Sequence, residues 1–335
     1  MTEPSSAITE IIAGGWRLSA LKTMVELDCA RHLAEGPLTV SELAGRCGAH
    51  APSLGRILRT LGAVGVVRTV DVDTYALTEA GALLTEDAEG SMRSAVLTNM
   101  DPVLSSATNE LLTETVRTGR SAFTERYGVL YDYLSEHPEL ASVFNNFMTG
   151  RALPMARGVA ERYDFSSIGK LADLGGGRGH ILAEVLRANP DLRGLLFELP
   201  HVLPDARAAF DEWGLTDRCE FVSGDFFSAA PEGPDAYLMG SVIHNWDDAN
   251  ALRILKVVRA AMSADARLLL VEIVVPDDDT PHYGKDLDIR MMGLFGQGRE
   301  RSRSEHTVLI EKAGMTVTDV IPLPFHASLI EARPI

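Results

Sequence analysis

The sequence predicts an α/β protein in which a mainly helical, winged-helix-like module precedes a doubly wound sheet of seven strands. Three observations predict it. At 335 residues the chain is about twice the size of an ordinary domain. Residues 1–100 read as helices with one short hairpin. From residue 168 onward short strands alternate with helices, the pattern of a mostly parallel sheet covered on both faces.

In the front module, Thr39 with Glu42 three residues on forms a capping box that opens a short helix. A second helix is expected in PSLGRILRTLGAVG, with Leu54, Ile57, Leu58 and Leu61 on one face. VVRTV, the polar turn DVDT and YALTEAG then make a hairpin. Residues 101–160 read as a helical bridge, broken at Pro138. Residues 161–335 read as the α/β domain, with strands in KLADLG, RGLLFELP, CEFVSGD, DAYLMGSVI and ARLLLVEIVV. The last two strands, TVTDVIPL and ASLIEARP, are joined by a turn too short for a parallel crossover, so they should be antiparallel.

Hydrophobic residues make up 46% of the chain and charged residues 23%, enough apolar material for two cores. The net charge of −16 argues against general binding to nucleic acid or anionic membranes, which would repel it. Residues 1–100 hold eight basic and twelve acidic side chains. That balance opposes a DNA-binding regulator, the other reading of a winged helix carrying Arg56 and Arg59 on its second helix. Cys29, Cys47 and Cys219 are odd in number and widely spaced, so neither a disulfide scaffold nor a thiolate metal site is expected. The start MTEPSSAITEII lacks the basic and apolar regions of a signal peptide, and no stretch approaches the ~20 apolar residues of a membrane span. A cytoplasmic location is expected.

LADLGGGRGH lies at a strand end and opens a helix. Glycines let backbone approach a ligand closely, and the N–H groups of the helix start face it. The dinucleotide pattern G-x-G-x-x-G, begun at Gly175 and Gly177, fails at His180, which disfavours a nicotinamide enzyme. Glu198 ends the second strand, where an acid accepts ribose hydroxyls. Asp225 ends the third, placed to accept from an adenine amino group, with Phe226 beside it to cover the ring. Three successive strands thus end in groups suited to parts of an adenosine.

In that order and spacing, LADLGGGRGH, FELP, SGDFF and GSVIHNWDD resemble class I methyltransferases. More narrowly, the chain is similar to the small-molecule O-methyltransferases of plants and actinobacterial secondary metabolism. The similarity spans almost the whole chain, including FNNFM and GRERSRSEH. It implies S-adenosylmethionine as cofactor, a small-molecule substrate, catalysis in the α/β domain, and a homodimer formed through the front module. Asp173, Gly175, Gly177, Glu198, Asp225 and Phe226 would bind the cofactor, and Trp246 would pack on its adenine.

His244 follows the fourth strand, and ligands of open α/β sheets sit beyond the carboxyl ends of their strands. A hydroxyl must lose its proton to attack a sulfonium methyl, and histidine is suited to take it near neutral pH. The resemblance makes His244 this base and Glu300 the acid orienting its ring. Asp247 is expected to cap the following helix, and Ser302 with Glu305 to cap a later one. By resemblance Asn145, Met148, Met291, Met292 and Phe295 line the substrate site.

The pattern departs from the family in three places. Asn245 stands where an aspartate is common, removing a second orienting charge. Gly240 stands where a lysine is common. Gly296-Gln297-Gly298 is one residue longer than the usual glycine pair, and Gln297 could bond a substrate. These departures keep a second reaction open: C-methylation beside the carbonyl of a 2-oxo acid, with a divalent metal at His244 and Gln297 and with Arg126 holding the carboxylate.

Overall fold

The computed structural model describes residues 4–335. The chain divides into two compact units. One comprises the described residues up to Ser105 together with Leu134–Gly150, and the other Ser106–Tyr133 with Arg151–Ile335. The stretch 101–160, expected as a bridge, is therefore shared between them.

The first unit begins with a long helix, Pro4–Glu26, followed by Cys29–Ala34. The Thr39–Glu42 capping box is formed in both directions and starts helix Val40–Cys47. Helix Ala51–Ala63 follows, with Leu54, Leu58 and Leu61 buried and Ile57 partly buried against the same core. Strands β1 (Leu38–Thr39), β2 (Val67–Asp71) and β3 (Thr74–Leu77) form an antiparallel sheet in the order β1-β3-β2. Met24, Val25, Leu43 and Leu58 fill the core. The first helix leaves Ile8, Ile11, Ile12 and Trp16 more than half exposed.

The second unit is built on strands β4 (Lys170–Leu174), β5 (Arg193–Glu198), β6 (Cys219–Ser223), β7 (Ala236–Gly240), β8 (Arg267–Val275), β9 (Arg301–Ser302), β10 (Met315–Pro322) and β11 (Ala327–Pro334). The main ladder runs β10-β11-β8-β7-β4-β5-β6. β11 is antiparallel to both neighbours, as the short closing turn requires; the pairings among β4 to β8 are parallel. This is the seven-stranded class I arrangement, to which the two-residue β9 adds a parallel edge beside β8.

The central strands are near-continuous apolar runs because both their faces are covered. Leu196 and Leu238 pack with Leu182, Leu186 and Phe210 on one face. Leu195 and Tyr237 pack with Ile254, Leu255 and Val258 on the other. Parallel pairing brings the carboxyl ends of β4, β5, β6 and β7 to one edge, where Asp173 and Glu198 at their strand ends gather with Asp225 and His244 just beyond theirs. No described helix is long and apolar enough to cross a membrane.

Candidate active site

The glycine loop leaves β4 through three residues with positive φ: Gly175 (72°), Gly177 (58°) and Gly179 (79°). A side chain at Gly179 would strike Phe210, and one at Gly176 would strike the Asp173 carboxylate. Around the Cβ position of Gly177 nothing lies within 4 Å, so the loop is open there. The Gly177 N–H donates to Glu198 Oε1 at 3.0 Å, joining the ends of β4 and β5. Glu198 Oε2 accepts from the Leu199 N–H.

Asp173 is 1% exposed, and neither carboxylate oxygen has a hydrogen-bond partner within the protein. Burial, reinforced by the charge of Glu198, pushes its carboxyl up to about 7. A buried acid in this state lacks a donor or a cation. Asp225 is exposed, with Oδ1 accepting from the Phe227 N–H. The Phe226 ring covers Gly175, and Phe227 meets Trp246 edge-to-face at 4.7 Å. Trp246 thus packs at the margin of the sheet's core, its indole nitrogen buried without a partner. These groups fit a cationic nucleoside: open loop backbone, an unsatisfied buried carboxylate, and acids on adjacent strand ends.

His244 sits in the short 3₁₀ turn Ile243–Asn245 after β7. Its Nδ1 donates to Glu300 Oε1 at 2.9 Å, with the two side chains 12% and 0% exposed. Glu300 is held in turn by its own N–H, which donates to Asp288 Oδ1 at 2.7 Å. A third acid, Glu272 on β8, stands beside them and is 1% exposed. Glu272 Oε1 accepts the N–H groups of Val242 and Ile243, fixing the start of the His244 turn. Burial pushes the Glu272 carboxyl up to about 7. Burial by itself would lower the His244 pKa, but Glu272 and Glu300 outweigh it against the opposing Arg151, and the pKa is raised above its ordinary value.

Glu272 escaped the sequence reading. Its one signal was an acid inside the apolar run LLLVEIVV. It puts a second acid beside His244 where Asn245 offers none; the Asn245 amide instead donates to the Ser241 carbonyl. The space a side chain at Gly240 would need is filled by Ile181. Asp247 and Ser302 cap their helices as expected.

Among the described residues, ligand atoms of His244, Glu272 and Glu300 lie within 4.8 Å of one another and form a donor set for a metal ion. An ion taken by His244 Nδ1 would displace Glu300 from the ring. Gln297, named beside His244 only under the C-methylation alternative, is exposed in the turn after helix Tyr283–Phe295.

The chain matches the model of the O-methyltransferase domain over residues 110–316 and that of the O-methyltransferase dimerisation domain over residues 9–87. The chain belongs to the O-methyltransferase family. It is similar to the phenazine O-methyltransferase PhzM of Lysobacter antibioticus, 36% identical over 332 residues, covering 99% of this chain and 96% of that one. It is 38% identical over 318 residues to the mitomycin biosynthesis 6-O-methyltransferase of Streptomyces lavendulae, covering 94% and 90%. The S-adenosylhomocysteine-bound structure of CalO1, a methyltransferase in calicheamicin biosynthesis, superposes with a TM-score of 0.90 at 31% identity over the whole of both chains. The protein is accordingly an S-adenosylmethionine-dependent methyltransferase.

In this methyltransferase the expected substrate residues take several positions. Arg126 is exposed and paired with Glu110 at 2.6 Å, a surface ion pair. Met291 is buried with Ile273 and Leu287 in the core. Met292 and Phe295 are partly buried on the same helix, Phe295 lying 6.3 Å from the Tyr131 ring. Asn145 and Met148 are exposed on helix Pro138–Arg162, in its portion within the first unit.

Proposed function

We propose that the enzyme methylates a hydroxyl of a small secondary-metabolite ring compound, with His244 as general base and Glu300 as the acid that orients it. The observation that carries this reading is the buried 2.9 Å contact between His244 Nδ1 and Glu300 Oε1 at the end of β7. With Nδ1–H given to Glu300, Nε2 keeps its lone pair for a substrate hydroxyl. The neighbouring carboxylates then stabilise the imidazolium as the proton arrives. S-adenosylmethionine, when bound, supplies an electrophilic methyl on a sulfonium. Asp173, the Gly175–Gly177 backbone, Glu198, Asp225 and Phe226 hold it, and Trp246 closes the adenine side through Phe227.

Relatives whose names specify phenazine and mitomycin substrates support a ring compound as acceptor. Met292 and Phe295 give a soft apolar wall suited to one. The front module, with its helices and three-stranded sheet, is read as a winged helix used for self-association. The apolar face Ile8, Ile11, Ile12 and Trp16 supplies its contact with a second copy.

Calorimetric titration with S-adenosylhomocysteine, followed by a panel of phenols and 2-oxo acids, tests this function. The expected result is cofactor binding with ternary complexes for phenols in the absence of metal. Ternary complexes restricted to 2-oxo acids with divalent metal would replace it with C-methylation.

A further inference from the structure

Arg301 is the largest fully buried side chain described, with 1% of its surface exposed. A buried guanidinium is costly unless its donors are satisfied. Here Nε and Nη2 both reach Asp248 Oδ1, at 3.0 and 2.9 Å. Nη1 donates to the Ile243 carbonyl at 3.1 Å, and Nη2 also to the Trp246 carbonyl at 2.7 Å. The fork thus joins the start of helix Asp248–Ala261 to two backbone carbonyls, and those carbonyls flank His244 on either side.

The neighbours of Arg301 grip the same turn. The Arg299 N–H donates to the His244 carbonyl at 2.8 Å, and Glu300 holds the His244 ring. Arg301 itself lies in β9, where Arg301 and Ser302 pair with Val274 and Val275 of β8. Three successive residues therefore tie backbone, imidazole and flanking carbonyls of the His244 turn to the sheet.

We propose that Arg301 is a positioning residue for methyl transfer, acting through His244 by fixing the turn against the strand that follows Glu300. The inference rests on the reading of His244 as the base. Only a planar fork spans acceptors in these directions; an ammonium keeps the charge but not the reach. Arg301→Lys should lower kcat by about 10–100-fold, the scale of a base displaced by roughly an ångström. KM and S-adenosylhomocysteine affinity should stay near wild type.

The test is a double-mutant cycle in kcat between Arg301→Lys and His244→Ala, with cofactor affinity measured calorimetrically on each variant. Arg301→Lys should cost its full factor when His244 is present. In the His244→Ala background it should cost less than about twofold, since the residue it positions is gone. Asp248→Asn, at a side chain 63% exposed, provides a second cycle that leaves the buried guanidinium in place should Arg301→Lys fold poorly. Equal losses in both backgrounds, or no loss with His244 present, would overturn the proposal. Full activity of His244→Ala alone would instead overturn the reading of the base.

Discussion

The imidazole of His244 and the carboxylate of Glu300 meet at 2.9 Å although 56 residues separate them in sequence, and Glu300 is wholly buried behind the ring. That contact fixes one tautomer of the base and sets its pH response.

Glu300→Gln should keep the ring in place and remove the charge. The His244 pKa stands above its ordinary value because Glu272 and Glu300 outweigh the cost of burial. Loss of one carboxylate lowers it, so the acid limb of the kcat profile should move to lower pH. The plateau should fall by about tenfold or more as imidazolium stabilisation weakens. An unmoved acid limb would separate Glu300 from the titration.

Asp173→Asn should act with opposite sign on stability and on binding. The folded-state carboxyl is raised to about 7, so its stabilising neutral form is lost as pH rises through that value. The variant's Tm relative to wild type should therefore be higher at pH 8 than at pH 5. Affinity for S-adenosylhomocysteine should fall by about tenfold or more with the loss of a charge-assisted contact. Equal Tm differences at both pH values would contradict the buried, raised carboxyl.

Gly177→Ala distinguishes backbone strain from lost ligand space. Its φ of 58° costs a side chain about 1 kcal/mol, yet no protein atom stands in the way of the added methyl. A small drop in Tm should accompany a large drop in cofactor affinity. Unchanged affinity would place the ligand elsewhere than over this loop.

Removal of divalent metal by a chelator should leave turnover unchanged, because the oxygen of Glu300 nearest the imidazole is already engaged with Nδ1. Loss of turnover restored by added metal would instead make the His244, Glu272 and Glu300 set a metal centre.

Much of the fold was legible in the sequence because its signals are local. The Thr39–Glu42 and Ser302–Glu305 capping boxes, the hairpin turn and the short closing connection each fix a boundary within a few residues. The glycine loop and His244 were legible because strand ends in a parallel sheet share one edge. Glu272 and Arg301 were not, since their roles come from partners 29 and 58 residues away. Arg126 is illegible for a related reason: a helix arginine gives no sign of whether Glu110 or a substrate will hold it.

The most direct test of the account is His244→Ala, measured for cofactor affinity and for turnover with an acceptor found in the phenol panel. The expected result is unchanged S-adenosylhomocysteine binding with kcat lower by about 10²–10⁴-fold. Binding and turnover both at wild-type levels would contradict the assignment of His244 as the base.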